Sequence, residues 1–282
     1  MLRDIDKLTD KTLLLESSVI HDGQKLYRLI NPSICRDYLY FRMLNITDTI
    51  WDNKIVMYTK ENSTSTIIQC NEIDMQQLED LRIFDYRDNV WFTCSRKNKD
   101  RLFETLLCNF NNDCTMIDKV HYCIKSDTHI KNLVPLVHEE CIFLIDVHRE
   151  VSYQLSDSDR DNLTERKIDL SLKPNNVNLY GSTQYIQIDD SIYGGIVHDL
   201  FYVGRQRYYI HYWVEIDVSR WTLVFISRPF IFRTFGIEFA SGLEKTSSGH
   251  YQILFGYQDT DSCTCFVSLQ QLRFGNNTDK LV

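Results

Sequence analysis

The sequence predicts an all-β, single-domain chain folded as a five-bladed β-propeller, and three observations predict it. Five short polar motifs begin at Asn31, Glu79, Lys131, Gly181 and Gly236, with steps of 48, 52, 50 and 55 residues between them. Each motif is followed by runs of strand-forming residues, and a repeat near 50 residues built from β-type segments is how a propeller reads in sequence. Composition agrees: Ala occurs once, at Ala240, against 16 Tyr and 15 Phe. Ala is the best helix former, whereas aromatic and β-branched residues suit a pleated, half-buried surface.

The elements follow in order. Lys11–Leu15 and Lys25–Ile30 read as strands about a turn at His21-Asp22-Gly23-Gln24, entering the first motif, Asn31-Pro32-Ser33. Blade one continues through the runs at 38–42, 54–58 and 65–70. Blade two opens on Glu79-Asp80-Leu81-Arg82, turns at Arg87-Asp88-Asn89 and runs on through 90–95, 102–110 and 116–120. Blade three starts at Lys131-Asn132 and holds strands at 141–146 and 150–155. Residues 156–167 are polar without an apolar period and read as an exposed loop. Blade four starts at Gly181-Ser182-Thr183, with strands at 184–188, 193–198, 207–216 and 222–226. Blade five starts at Gly236 and is short of a strand, so residues 1–30 are expected to complete it. Joining both termini in one blade closes the ring and removes open sheet edges.

A net charge of −8 argues against a nucleic-acid partner, which needs a basic face. The nine cysteines lack metal-ligand spacing and read as reduced, buried thiols, as in a reducing compartment. The N-terminal residues carry acids where a signal peptide would be apolar, and no run reaches the ~18 apolar residues of a membrane span. The expectation is a cytoplasmic protein. In the 156–167 stretch, Asp157-x-Asp159 resembles a carboxylate pair that holds a divalent metal in some sugar transferases; a charged, solvated loop is the commoner explanation.

The motifs together resemble a five-bladed propeller superfamily of mannoside phosphorylases, β-1,2-mannosyltransferases and furanosidases, and most closely a branch associated with glycosyltransferases. The resemblance covers about residues 28–270. It rests on Asn31-Pro32-Ser33, Glu79-Asp80-Leu81-Arg82, Lys131-Asn132-Leu133, Gly181-Ser182-Thr183, His198, His211, Ser227-Arg228-Pro229-Phe230, Gly236 to Leu243, and Phe255-Gly256-Tyr257-x-Asp259, in that order. Two positions depart from the pattern. Leu81 replaces a proline, which alters turn rigidity, and Leu133 replaces a tryptophan, which would remove a stacking platform for a sugar ring.

The resemblance implies glycosyl transfer, with Asp80 as the carboxylate at the sugar. Its neighbours Glu79 and Arg82 pull its proton affinity in opposite directions; the plain alternative is a structural Asp80–Arg82 pair. Glu238, set among Phe235, Ile237, Phe239 and Ala240, is the second catalytic candidate, since burial would favour its neutral form; a carboxylate bonded to backbone is the alternative. Arg42, Arg82, Lys131, His198 and His211 are candidates for an anionic leaving group. Glu79, Asn31, Asn132, Ser182 and Thr183 complete the substrate-binding set, the asparagines and hydroxyls by hydrogen bonds to sugar. The expected activity is transfer from a nucleotide-sugar donor to a glycan acceptor, with no obligatory cofactor. A glycoside phosphorylase or hydrolase, or a non-catalytic glycan-binding propeller, fits the same pattern.

Overall fold

The computed structural model describes residues 6–8, 12–14, 19–47, 53–59, 64–70, 78–97, 102–124, 131–155 and 163–275. Five sheets account for nearly all of it, and they succeed one another along the chain as five blades of a propeller. Blade one holds Val19–Asp22, Lys25–Cys35, Tyr38–Asn45, Asn53–Thr59 and Ser65–Ile67. Leu78–Tyr86, Asn89–Lys97, Phe103–Phe110 and Ile117–Ile124 form blade two. Val134–His138, Cys141–Asp146, Val151–Gln154 and Thr164–Lys167 form blade three. Blade four is built on the long hairpin Ile192–Val203/Gln206–Asp217, flanked by Thr222–Ile226 and shorter strands. Glu238–Lys245, Tyr251–Tyr257 and Asp261–Val267 form blade five.

The ring is closed by strands from both ends of the chain: Thr12–Leu13 pairs antiparallel with Asp261–Val267 in blade five. The other N-terminal strands go elsewhere. Asp6–Lys7 runs parallel to Phe230–Ile231 in blade four, and Val19–Asp22 pairs with the start of Lys25–Cys35 in blade one. The N-terminal segment thus stitches three blades. Another difference from the sequence reading is Thr164–Lys167, which is the outermost strand of blade three rather than loop. All four of its residues are exposed, so it carries no apolar alternation; a charged edge strand of this kind discourages pairing with other chains.

Packing lies between blades. One core cluster fills each seam: Cys35, Tyr40 and Ile55 against Ile83, Phe92 and Leu106; Phe84 and Leu107 against Leu133, Ile142 and Leu144. Val134, Phe143 and Ile145 meet Val197, Tyr212 and Val214, while Trp213, Phe230 and Phe232 meet Leu243, Tyr251 and Phe255. A fifth cluster, Tyr27, Leu29, Phe41, Met43 and Val56, has Leu14 packed against it. Each fully buried side chain of this size contributes roughly 1.5–3 kcal/mol relative to exposure. Leu81 and Leu133, the two departures from the family pattern, both lie in these seams. Leu133 therefore packs hydrophobic core rather than standing at a sugar-stacking position. Among the described residues no helix is long and apolar enough to cross a membrane. The helix Leu269–Phe274 is short, begins with a Ser268/Gln271 capping box, and ties back to blade four through Arg273 Nε and Nη2 on the Glu215 carboxylate at 2.6 and 2.7 Å.

Candidate active site

The polar motifs stand where the blades converge, because the innermost strands are bent there. In blade one the register slips between Ile30 and Ser33, and in blade two between Glu79 and Arg82. Asn31 and Asp80 occupy these bulges with φ of 50° and 55°, and Asn132 takes φ 67° just before the inner strand of blade three. Asn and Asp tolerate the left-handed region better than other side-chain-bearing residues, and bulges re-aim side chains. Three blades thus turn a polar group toward the centre by one backbone device. Gly256 belongs to the same arrangement: a Cβ there would lie 2.7 Å from Asn31 Oδ1. Gly181 is needed for the same reason, since its Cβ would meet the Asn132 carbonyl oxygen at 2.5 Å.

The central cavity has a volume of about 740 Å³, and Asn31, Arg42, Glu79, Asp80, Lys131, Asn132 and His198 line it as the sequence motifs predicted. Its polar wall is a charge network. Lys131 Nζ lies 2.7 Å from Glu79 Oε2 and 3.4 Å from Asp80 Oδ2, while Arg42 Nη2 reaches Glu79 Oε1 at 3.5 Å. Burial alone would raise the Asp80 pKa, but Lys131, Arg82 and Arg42 outweigh it and hold the carboxyl below its ordinary value of 3.8. Lys131 is raised from its ordinary value: burial opposes its charge, and Asp80 and Glu79 more than compensate. Both groups are ionised at neutral pH.

His198 is the opposite case. Burial first, then His211 and Arg82, push its pKa well below 6.5, so the ring is neutral. Its Nδ1 shares a hydrogen bond of 2.7 Å with Ser182 Oγ, which fixes the ring on the cavity wall. His148 stacks on Tyr180 at 4.6 Å between ring centroids, and Tyr180 on His198 at 5.7 Å.

Five predicted site residues do not line the cavity, and the structure gives each of them another role. Arg82 donates to four protein oxygens: Ser182 O at 2.7 Å, Asp80 O at 2.6 Å, Gly181 O at 3.2 Å and Asn132 Oδ1 at 3.2 Å. It ties blades two, three and four together behind Asp80. Ser182 supplies that carbonyl and orients His198, and Thr183 Oγ1 accepts from the Ile196 amide at 3.0 Å. His211 is wholly buried against Phe230 and Phe232, one strand outward from His198, and burial pushes its pKa down to about 3. Glu238 accepts from the amides of Phe232, Arg233 and Thr234 at 2.7, 2.9 and 2.9 Å. Burial raises its pKa as expected, against the pull of those amides, yet the carboxylate holds a turn and does not face the cavity.

Glu238→Ala leaves three amides unpaired. It is expected to lower the free energy of unfolding by about 3 kcal/mol in a urea titration. An unchanged midpoint together with abolished turnover would return Glu238 to the chemistry.

Sequence reasoning missed most of the rest of the wall, including Asp146, His148, Arg149, Tyr180, Leu200, Arg207 and Tyr209, with Phe239 and Asp259 known only as members of motifs. Asp146 Oδ1 accepts from the amides of His148 and Arg149 at 3.1 Å each, which folds their turn over the cavity rim. Arg207 donates to Asp259 at 3.1 Å and lies 5.3 Å over the Tyr209 ring. The Tyr209 phenol, pushed up to about 12 by burial, remains protonated. The stride finds only the innermost strands, whereas most of these residues sit on later strands and hairpin ends; Tyr180 and Phe239 lie on inner strands, beside motif residues. Among the described residues no group of three or more His, Cys, Asp or Glu is arranged to hold a metal ion. Asp157 and Asp159 lie outside the described residues.

Fold and site together define a five-bladed propeller with a charged, aromatic-edged central well. Solved structures share this architecture. A mannose phosphorylase from Leishmania mexicana in complex with phosphate matches with a TM-score of 0.63 at 16% identity, over 94% of this chain and 90% of that one. A GDP-Man-dependent mannosyltransferase from the same organism matches at 0.63 and 14%, over 87% of each chain. The β-1,2-mannobiose phosphorylase of Listeria innocua matches at 0.60 and 10%, over 90% and 93%. At these identities the likeness establishes the shared fold. No protein-family model matches the chain, and no curated protein matches it significantly in sequence.

Proposed function

We propose that the chain is a glycosyltransferase that moves a sugar from a nucleotide-sugar donor to a hydroxyl of a glycan acceptor in the central cavity. The observation that carries this reading is the placement of Asp80, which lines the cavity with its Oδ2 3.4 Å from the Lys131 ammonium. Its surroundings keep the carboxylate ionised beside the cavity, which suits a base and opposes a proton donor. The acceptor oxygen attacks the anomeric carbon and its proton passes to the Asp80 carboxylate. The anomeric C–O bond to phosphate breaks, and its electron pair leaves with the nucleoside diphosphate. Arg42, Lys131 and Arg149 are the wall's cations for that leaving group, and Asn31, Asn132 and His198 are its hydrogen-bonding groups for sugar hydroxyls. The cavity volume lies within the range of small-molecule sites.

Phosphorolysis or hydrolysis of a glycoside needs a protonated acid at the leaving oxygen, a state that the Asp80 environment disfavours. Calorimetric titration with a panel of UDP- and GDP-sugars tests the choice, followed by assay of nucleotide release with saccharide acceptors. GDP-mannose comes first, because a GDP-Man-dependent mannosyltransferase has the same fold. Binding of a nucleotide sugar and acceptor-dependent release of the diphosphate are expected. Phosphate-dependent cleavage of a disaccharide, without nucleotide-sugar binding, would replace this reading with the phosphorylase. Saccharide binding without any turnover would leave a glycan-binding propeller.

A further inference from the structure

The blade-four hairpin Ile192–Val203/Gln206–Asp217 carries the cavity wall out into solvent. Its register pairs His198 with His211, Leu200 with Tyr209, and Tyr202 with Arg207. Side chains directly opposite in an antiparallel pair share a face, and residues two apart along a strand share it too. His198, Leu200, Arg207 and Tyr209 all line the cavity, so Tyr202 stands on that same face at the rim, directly across from Arg207. Tyr202 is 63% exposed, the most exposed of the large hydrophobic side chains among the described residues.

This tip is rigid. The strands remain paired to Val203 and Gln206, and Gly204 at φ 64° begins a two-residue turn of the kind that matches strand twist. On the opposite face Phe201 stacks on Tyr208 at 5.5 Å, Tyr208 meets Phe235 at 6.3 Å, and the Tyr209 amide donates to Gly236 O at 3.0 Å. An aromatic ring with its hydroxyl, beside a sugar-sized well and across the ladder from Arg207, presents an apolar body and a polar tip to a ligand. That is the chemistry of a saccharide platform.

We propose that Tyr202 and Arg207 form an outer subsite for the second sugar unit of the acceptor, so that chains of two or more units are preferred over a monosaccharide. The inference rests on the glycan-acceptor reading above. It is tested by titrating wild type, Tyr202→Ala and Tyr202→Phe with mannose and with mannose oligosaccharides of two to four units, without donor. Sedimentation is measured in parallel. Wild type is expected to bind the oligosaccharides about fivefold more tightly than mannose, the factor that one stacked ring supplies. Tyr202→Ala should abolish that preference while leaving mannose binding unchanged, and Tyr202→Phe should keep most of it. Equal binding of monomer and oligomer by wild type, or an undiminished preference in Tyr202→Ala, overturns the subsite and leaves the central site standing. A wild-type dimer that Tyr202→Ala dissociates reassigns the tip to contact between copies. Failure of wild type to bind any of these sugars overturns the subsite and the acceptor reading together.

Discussion

Asp80→Asn is expected to lower turnover by at least about 100-fold, the lower end of what a positioned acid–base group contributes, while the protein stays folded. The substitution is nearly isosteric. Asn also accepts the left-handed backbone that Asp80 holds at φ 55°, so the bulge in blade two survives. What disappears is the oxygen that takes the acceptor's proton. The loss belongs in kcat, with the KM for donor and acceptor little altered, because the neighbouring Lys131 and Arg42 still have Glu79 as partner. Initial rates of diphosphate release measured across substrate concentrations check the split. Wild-type kcat in the variant would eliminate Asp80 as the base.

The pH profile follows from the same cluster. The Asp80 pKa is depressed below 3.8, so the basic form predominates above that value and is lost as pH drops through the lowered one. The native-state stability linked to this ionisation has the same sign, present above 3.8 and lost on acidification. Any acid limb of activity near neutral pH must come from another group.

The sequence located the inner strands well and the function of their residues less well, for a physical reason. A propeller repeats its innermost strand at equal intervals, so polar residues out of place in a strand flag the hub at Asn31, Glu79, Asp80, Lys131 and Asn132. A polar residue at the hub has two uses, however: joining blades and facing the ligand. The choice depends on which carbonyls of other blades come within reach. Arg82 is consumed by oxygens 99 and 100 residues away in sequence, an outcome invisible to local pattern. Glu238 was legible as a buried carboxylate, while the turn that wraps it was not. His148, Arg149 and Arg207 escaped because they sit at hairpin ends, where the distance to the cavity is set by strand length and twist rather than by motif spacing. The N-terminal strands were assigned to one blade, although their two- to four-residue pairings divide them among three; runs so short carry almost no periodicity.

Arg82→Met is expected to destabilise the protein by about 3–5 kcal/mol, the largest effect of any single substitution at the hub. Arg82 is 1% exposed, and its guanidinium is held down to about 10 by burial, which still leaves it charged at neutral pH. Methionine fills much of the same volume but strips donors from the buried Ser182, Gly181 and Asp80 carbonyls and from the part-buried Asn132 Oδ1. It also retains contact with Phe239, over which the guanidinium now lies at 5.6 Å, so the deficit measures hydrogen bonding and charge rather than lost packing. Urea titration gives the free energy. Arg82→Lys keeps the charge but not the planar fork, and should lose about half as much. In whichever variant remains folded enough to assay, a second signature follows. Arg82 is among the groups that depress Asp80, so its removal lets burial reassert itself and moves the acid limb of activity to higher pH in Arg82→Met, but not in Arg82→Lys. Wild-type stability in both variants would mean that the blades meet at the axis without this residue. A limb that stays in place in Arg82→Met would mean that Lys131 and Arg42 alone set the charge of the base.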